Sequence, residues 1–269
     1  MKFDYLDERD SRKIINNMFI LSFDKSDLPF NTIIVPTGFP SMAYVFGKKQ
    51  TVTHNKTVTE FNGLIITGQF DSTYNFSVNS IGKNLGINLH PTALYKFLKK
   101  DISKLTNKHI PLEEINAELF NMISPLFIRN EKSISNFTKK IIDLIEGFNI
   151  EIDQETKHID IAINYIFEKE GMIQVNDLLN VVPFSQKSLE VKFKKIVGLT
   201  PGKYIRLIRF TKLMRKYESN EIELKDLIYM YNYYDHSHFI KDFKHFMSES
   251  PKLYFKKDYP LIKAYSKDL

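Results

Sequence analysis

An internal repeat at an offset of fifty residues constrains this fold more than any other feature of the 269-residue chain. The segment FKKIVGLTPGKY at 193–204 aligns with FKHFMSESPKLY at 243–254, with phenylalanine, lysine, proline and tyrosine at matching positions. A repeated sequence of this kind encodes a repeated supersecondary unit. The last hundred or so residues are therefore predicted to contain the same unit twice.

Both copies follow the same physical plan. A short helix with a small apolar face, at about 175–180 and again at about 224–230, is followed by a turn. Ser185 in one copy and Asp235 in the other can cap a second helix, because both side chains accept hydrogen bonds from free backbone N–H groups. This is the plan of a helix-turn-helix unit. A solenoid of helical hairpins is the alternative, but it needs about three or more repeats.

Positive charge is concentrated at the first copy. Residues 185–216 hold ten basic side chains and one acidic side chain, Glu190, whereas the whole chain has a net charge of +6. A local excess of this kind attracts polyanions such as DNA. A solvated helix face with scattered lysines is the other interpretation of the same pattern.

The first 90 residues are instead rich in β-branched and aromatic runs. Examples are TIIVP (32–36), MAYVF (42–46), GLIITG (63–68) and YNFSV (74–78), with glycines at or beside the ends of such runs. This spacing predicts strands in a meander, a sandwich or a small barrel.

The hydrophobic period becomes helical after His90-Pro91. Amphipathic helices are predicted near 112–123 and 133–148, and a polar connector at 151–156 follows. From a helix at 159–169 onward, the pattern predicts only helices and short turns. The fold class is therefore predicted to be α+β.

From 159 to 257 the chain resembles the DNA-binding domain of the AraC/XylS transcription regulators. The run SQKSLEVKFKKIVGLTPGKYIRLIRF (185–210) is similar to that family's first recognition helix and connecting helix, and YNYYDHSHFIKDFKHFMSESPKLY (231–254) to its second unit. The resemblance implies an all-α domain of seven helices at 156–258, with recognition helices at about 185–196 and 236–247 that enter successive major grooves.

The chain departs from the family pattern at three positions. Asn232 stands where the family usually has glycine, and asparagine tolerates the left-handed backbone that this turn requires. Leu179 replaces a usual alanine, and Val191 replaces a frequent arginine. These changes bear on base preference more than on the fold.

Residues 1–150 resemble more weakly the N-terminal domain of one branch of these regulators. The similar segments are IIVPTGFPSMAYVFG (33–47), ITGQF (66–70), GINLHPTALYKFL (86–98) and IPLEEI (110–115). The resemblance implies a cupin-like barrel or sandwich with flanking helices that senses a small molecule or dimerises. Residues 259–269 are predicted to form a C-terminal tail.

The family pattern implies two sets of DNA contacts. Base edges are expected to be contacted by Lys187, Ser188, Glu190, Val191, His236, Ser237 and Lys241, whose side chains can donate to guanine, accept from cytosine or pack on a thymine methyl group. Phosphates are expected to be contacted by Lys194, Lys195, Lys203, Arg206, Arg209 and Lys244. A solvated surface role is the alternative for each residue, and helix capping is the alternative for His236.

Six aromatic residues are the candidates for an effector pocket in the N-terminal half, and packing of a core is the alternative role for them. They are Tyr44, Phe46, Phe61, Phe70, Tyr74 and Phe76. A regulator that needs no effector, with an N-terminal interaction module, is the second functional hypothesis. The expected partners are double-stranded DNA, a small-molecule effector, a second copy of the chain and, for an activator, RNA polymerase.

Enzymatic function is not expected. The chain has no cysteine, which excludes thiolate zinc sites, thiol catalysis and the methyl-accepting repair proteins that share this DNA-binding domain. There is no G-x-S-x-G elbow and no phosphate-binding glycine loop, and the N-terminal half has no H-x-H pair for a cupin metal site. No cofactor and no metal are predicted. No apolar run reaches the roughly 20 residues of a membrane helix, so no membrane association is expected, and a cytoplasmic location is predicted.

Overall fold

The computed structural model describes residues 1–6, 10, 12–131, 133–219, 222–257, 259 and 262 of the chain. In this part of the chain, eight antiparallel strands form one sheet in the N-terminal half. They are β1 (Lys2–Leu6), β2 (Ile15–Phe23), β3 (Phe30–Ile34), β4 (Ser41–His54), β5 (Thr57–Thr67), β6 (Tyr74–Val78), β7 (Gly82–Leu89) and β8 (His109–Pro111).

The sheet bends because one long strand, β4, pairs with different strands along its two halves. The main path runs β1-β2-β7-β4-β5-β8, and β3 and β6 form a branch that joins β4. The first half of β4 pairs with β7 from Ser41 to Gly47, and its second half pairs with β6 from Thr51 to Thr53. The pairing register between β4 and β5 shifts between Val45 and Gln50, which marks an irregularity at the bend.

The two faces of the sheet have separate cores, because successive side chains of a strand point to opposite sides. Phe19, Leu21 and Phe23 of β2 point into the bent inner face. Met18 points to the outer face, where helices cover it. Gly86 is paired with Phe19, and a Cβ atom at this glycine would lie 2.1 Å from the Phe19 ring. Only glycine leaves room for that ring at this position.

Eleven helices follow within the described residues. They are α1 (Ala93–Leu98), α2 (Leu112–Ile115), α3 (Ala117–Arg129), α4 (Ile134–Gly147), α5 (Gln154–Glu168), α6 (Val175–Leu178), α7 (Gln186–Val197), α8 (Pro201–Glu218), α9 (Leu224–Met230), α10 (His236–Met247) and α11 (Pro251–Tyr254). The first four belong to the N-terminal half. The other seven confirm the predicted all-α, seven-helix C-terminal half and the α+β fold class.

The helix predicted near 112–123 is two helices. Asn116 between them has an extended backbone, and its side chain accepts a hydrogen bond from the Leu119 N–H, which starts α3. The strands β1, β2, β7 and β8 were not among the runs named from the sequence. In β2 most side chains are buried, so the alternation typical of a strand with one exposed face is absent.

The hydrophobic core continues across the predicted boundary at 150–156, which stays a prediction. Residues 150–153 lie between α4 and α5, but 154–156 form the first turn of α5 and not a connector. Gly38 shows how closely the halves approach, because a Cβ atom there would lie 2.6 Å from Ile208 of α8. Its carbonyl accepts a hydrogen bond from the Tyr204 hydroxyl at 2.9 Å. Most of the predicted tail at 259–269 lies outside the described residues.

Candidate nucleic-acid interface

The second helix of the first unit is α7. The Ser185 hydroxyl accepts a hydrogen bond from the Ser188 N–H at 3.3 Å, and Gly198 ends the helix with a left-handed backbone. Leu189 and Phe193 are buried at i, i+4 spacing. The opposite face carries the predicted base-contacting residues: Lys187, Glu190 and Val191 are exposed, and Ser188 is half-buried. Val191 is 62% exposed.

The second unit repeats this arrangement in α10. The Asp235 carboxylate accepts a hydrogen bond from the His238 N–H at 2.7 Å, so Asp235 and not His236 caps the helix. Phe239 and Phe243 are buried, as the fifty-residue offset predicts. The predicted base-contacting residues His236, Ser237 and Lys241 are all exposed.

A short leading helix precedes each of these helices, α6 in the first unit and α9 in the second. In the second unit the turn after α9 passes through Asn232, whose φ is +54°. The Tyr233 N–H donates to the Ile228 carbonyl at 3.1 Å and closes the helix end. The prediction that asparagine would support a left-handed turn here is confirmed. Two helix-turn-helix units are therefore present, each with an exposed polar face on its second helix.

The connecting helix α8 holds the two units together. Thr200 caps it, Pro201 occupies its first turn, and side chains on several of its sides are buried, including Tyr204, Leu207 and Phe210. A helix that is buried on several sides cannot move relative to its neighbours without loss of packing.

A helix-turn-helix domain model matches residues 178–257 of the chain, which covers both units. The C-terminal domain is an AraC-type helix-turn-helix domain. A second model, described only as a domain of unknown function (DUF6597), matches residues 11–111.

The AraC-type domain is similar to the transcriptional activator AarP of Providencia stuartii, with 27% identity over 82 residues. The alignment covers 30% of this chain and about three fifths (61%) of the length of AarP.

Two solved structures are similar over most of the chain. ToxT from Vibrio cholerae O395 matches with a TM-score of 0.45 and 15% identity, over 94% of this chain and 97% of ToxT. The AraC-like activator CuxR matches with a TM-score of 0.29 and 13% identity, over 80% of this chain and 87% of CuxR. At these values the similarity says nothing about ligands or activity.

Arg206 and Arg209 of the AraC-type domain point to a buried carboxylate of α10. Asp242 is fully buried, and it accepts hydrogen bonds from Arg206 and, at 3.2 Å, from the Tyr233 hydroxyl. The Arg209 guanidinium lies 3.7 Å from Asp242, stacks 4.6 Å from the centre of the Tyr233 ring and is 13% exposed. The Arg206 side chain stays about half exposed. Burial, with the adjacent Asp242 charge, raises the pKa of Tyr233 well above its ordinary value.

The predicted phosphate-contacting lysines are all exposed, but they differ in their surroundings. Lys194 and Lys244 have no ion-pair partner among the described residues. The Lys195 ammonium lies 5.5 Å from the centre of the Tyr95 ring, and the Lys203 ammonium lies 3.3 Å from an Asp71 oxygen. Tyr95 and Asp71 both belong to the N-terminal half, so that half contacts two of the lysines.

The segment 68–73 of the N-terminal half lies between the two units. The Thr73 N–H donates to the Phe246 carbonyl of α10 at 2.9 Å, and Asp71 contacts Lys203 at the start of α8. Asn107 holds Asp71 in place through two hydrogen bonds, of 2.9 and 3.0 Å. Its neighbour Thr106 donates to the carbonyl of Gly198 at 2.8 Å. The N-terminal half is thus bonded to both units.

A cavity lies on the inner face of the sheet and extends to the segment 68–73, where the N-terminal half contacts the two units. Its empty volume is about 910 Å³ with the adjoining open space included, and its lining includes residues 34–37, 39 and 68–70. Four predicted pocket residues line it: Phe61, Phe70, Tyr74 and Phe76. Tyr44 and Phe46 do not line it, because they point to the outer face, where Tyr44 contacts Phe127 of α3.

Sequence reasoning missed three residues of these sites. Asp242 has a detectable signal, since it lies between Phe239 and Phe246 on the apolar face of α10, where an acid needs a cationic partner. Asp71 and His109 have no local signal. Among the described residues, no helix is long and apolar enough to cross a membrane, and no group of three metal-ligating side chains occurs.

Proposed function

We propose that this chain is a sequence-specific DNA-binding transcription regulator that inserts α7 and α10 into successive major grooves on one side of a duplex. The observation that carries the proposal is the repeated unit itself. Each recognition helix is capped at its start, anchored by two buried apolar side chains and exposed on its polar face. Two such helices fit half-sites about one helical turn, roughly 34 Å, apart.

Base recognition is assigned to the exposed faces of both helices. Lysine donors at 187 and 241 suit the O6 and N7 atoms of guanine, and the Glu190 carboxylate suits the N4 amine of cytosine. Val191 suits a thymine methyl group, which would explain an exposed valine in the first recognition helix. Ser188, His236 and Ser237 complete the set.

Phosphate contacts are assigned to Lys194, Lys195, Lys203 and Lys244, with Arg206 as a partial contributor because its guanidinium is half exposed. Arg209 is assigned a different role from the one that its charge suggests. Its guanidinium is largely buried between Asp242 and Tyr233, so it orients α10 on α8.

The N-terminal half is proposed to be a sensor whose effector occupies the cavity. Thr37 and Phe39 line the cavity, and Gly38 between them accepts the hydrogen bond from Tyr204 of α8, which gives a bound molecule a short contact path to the AraC-type domain. The alternative is an interaction module that needs no effector and binds a second copy of the chain or RNA polymerase.

Selection from a randomised duplex library at two salt concentrations tests the DNA-binding proposal. We expect enrichment of a site with two short blocks about one turn apart. Enrichment of a single block, or binding without any enrichment, would contradict the insertion of two helices.

Alanine variants of the lysines test the assigned roles. Lys187→Ala and Lys241→Ala are each expected to relax base preference in one block, at a cost of about 1–3 kcal/mol at the matched site. Lys244→Ala is the control within the same helix as Lys241. It should weaken binding to all sequences equally and reduce the slope of log K against log salt by about one unit. Equal effects of all three variants on every sequence would overturn the assignments.

A further inference from the structure

The cavity of the N-terminal half has a chemical character that restricts its ligand. Among the described residues that line it, none is aspartate, glutamate, lysine or arginine. His109 is the histidine in the lining. Burial, together with the adjacent His54, lowers the pKa of His109 to about 3, so its imidazole is neutral at physiological pH. The lining therefore carries no lysine, arginine or imidazolium charge to neutralise an anionic ligand.

One wall of the cavity is built from aromatic rings. The rings of Phe61 and His109 lie parallel, with centres 5.1 Å apart and planes 6° apart. Phe70 and Tyr74 approach His109 with ring centres at 5.0 and 4.9 Å. These rings form a continuous surface that suits the face or edge of a planar ligand.

Carboxamide side chains and the hydroxyls of Thr37, Ser41 and Thr67 form the polar part of the lining. Asn84 exchanges two hydrogen bonds of 2.8 Å with the buried Gln50, which fixes both amides. Asn88 donates to Asn17 at 2.7 Å. The Asn17 side-chain nitrogen is buried and has no hydrogen-bond partner within the described residues; Asn17 is linked to the lining through its bond to Asn88 and is not itself part of it. Fixed amides recognise neutral donors and acceptors.

We propose that the cavity binds an uncharged planar aromatic molecule with a hydrogen-bonding group such as an amide or a hydroxyl. This inference rests on the proposed sensor function and names its ligand class. A carboxylate in the same place would lose its hydration without gaining a counter-ion, which is strongly unfavourable. An uncharged ring-bearing amide stacks on the aromatic wall and satisfies the amide side chains.

Matched pairs of probes that differ only in charge test the ligand class. The affinities of the full-length chain for 2-naphthamide and 2-naphthoate, and for benzamide and benzoate, are compared by calorimetry and thermal shift. We expect the amide of at least one pair to bind at least tenfold more tightly than its acid. Tighter binding of the acids, or no binding of any amide, would overturn the proposal.

A positive charge introduced into the cavity provides a second test of the ligand class. Asn88→Lys is expected to bring the affinity for the acid at least level with that for the amide. Thr67→Lys is the alternative variant if loss of the Asn88 hydrogen bond prevents folding. An amide preference that a folded lysine variant leaves unchanged would mean that the probes bind elsewhere, and would overturn the cavity assignment.

Operator binding measured with and without the bound amide separates this inference from the sensor function. Amide binding that leaves operator affinity unchanged would contradict the sensor function and retain the ligand class. Acid binding that changes operator affinity would retain the sensor function and contradict the ligand class.

Discussion

Two acidic residues form ion pairs with basic side chains of the AraC-type domain, and these pairs affect which basic side chains can bind DNA. Asp71 belongs to the N-terminal half and forms an ion pair with Lys203. Lys203 is an exposed lysine that a DNA phosphate could also bind. Asp242 is buried in α10 and contacts Arg206 and Arg209 of α8. The first contact is at the surface and easy to exchange, whereas the second is part of the core.

Asp71→Asn is predicted to increase the affinity for DNA. In the free protein the Asp71 carboxylate competes with phosphate for Lys203, and an exposed ion pair of this kind contributes about 0.2–1 kcal/mol. The expected gain is therefore up to about fivefold, measured by fluorescence anisotropy at low salt. Asp143→Asn on α4 removes the same charge at an exposed position and should have a smaller effect. A gain that persists in a Lys203→Ala background would contradict the competition.

Asp242→Asn is predicted to destabilise the fold. The substitution leaves the largely buried Arg209 without its counter-ion, and loss of one partner of a buried pair costs about 3–5 kcal/mol. The half-exposed Arg206 can be rehydrated, which favours the lower end of that range. Urea denaturation checks the result. Lys244→Ala, on the exposed face of the same helix, should change the free energy of unfolding by less than about 0.5 kcal/mol.

At the scale of elements, the two helix-turn-helix units have the same local design with different residues. Ser185 and Asp235 start the recognition helices, and Gly198 and Ser248 end them with a left-handed backbone. The left-handed residue that ends the recognition helix is therefore glycine in the first unit and serine in the second. The repeat preserves the conformation while its residue types vary.

Asp235→Ala and Ser185→Ala are each predicted to lower the free energy of unfolding by about 1 kcal/mol, because each removes the side chain that accepts a hydrogen bond at the helix start. Ser133→Ala is the matched control, since Ser133 precedes α4 without a side-chain capping bond. Chemical denaturation of the three variants checks this. A control as destabilised as the two cap variants would show that the capping bonds are not the cause.

At the scale of the whole molecule, buried polar groups lie where the two halves meet and inside the cavity. Lys96 of α1 is buried and lies 2.9 Å from Asp160 of α5. His90 bonds to Thr92 beside this pair. Burial lowers the pKa of His90 to about 4, and Lys96 acts in the same direction although Asp160 opposes it. Both His90 and His109 are therefore neutral in the folded chain.

Stability is predicted to fall as the pH decreases from about 6.5 to about 4. A histidine whose pKa is lowered by folding binds more protons in the unfolded chain, so its contribution is complete above pH 6.5 and is lost below it. Each of the two histidines contributes about 1.4 kcal/mol per pH unit within this window. Denaturation midpoints at several pH values measure the slope.

His109→Phe keeps a ring on the aromatic wall and should flatten this pH dependence. His236→Gln changes an exposed histidine and should leave it unaltered. A slope that His109→Phe does not reduce would contradict the role of the buried imidazole.

Local sequence is enough to predict the two helix-turn-helix units, their caps, their buried anchors and their exposed faces. Each of these features depends on residues within about five positions of one another, such as Ser185 and Leu189. The strands at 32–36 and 74–78 could also be predicted, because each depends on a local run of β-branched and aromatic residues. The left-handed turn at Asn232 was also predictable, because it depends on one residue's backbone preference.

Long-range packing determines which charged side chains are free and which aromatic rings form the cavity. Asp71 and Lys203 are 132 positions apart in the chain, and Arg206 and Asp242 are 36 apart. A local pattern cannot distinguish a lysine that faces solvent from one that faces a distant carboxylate. Tyr44 of β4 and Phe61 of β5 are both aromatic residues within long strands, yet the pleat directs one to the outer face and the other into the cavity. The direction of a side chain from a sheet depends on register and curvature, which long-range pairing sets.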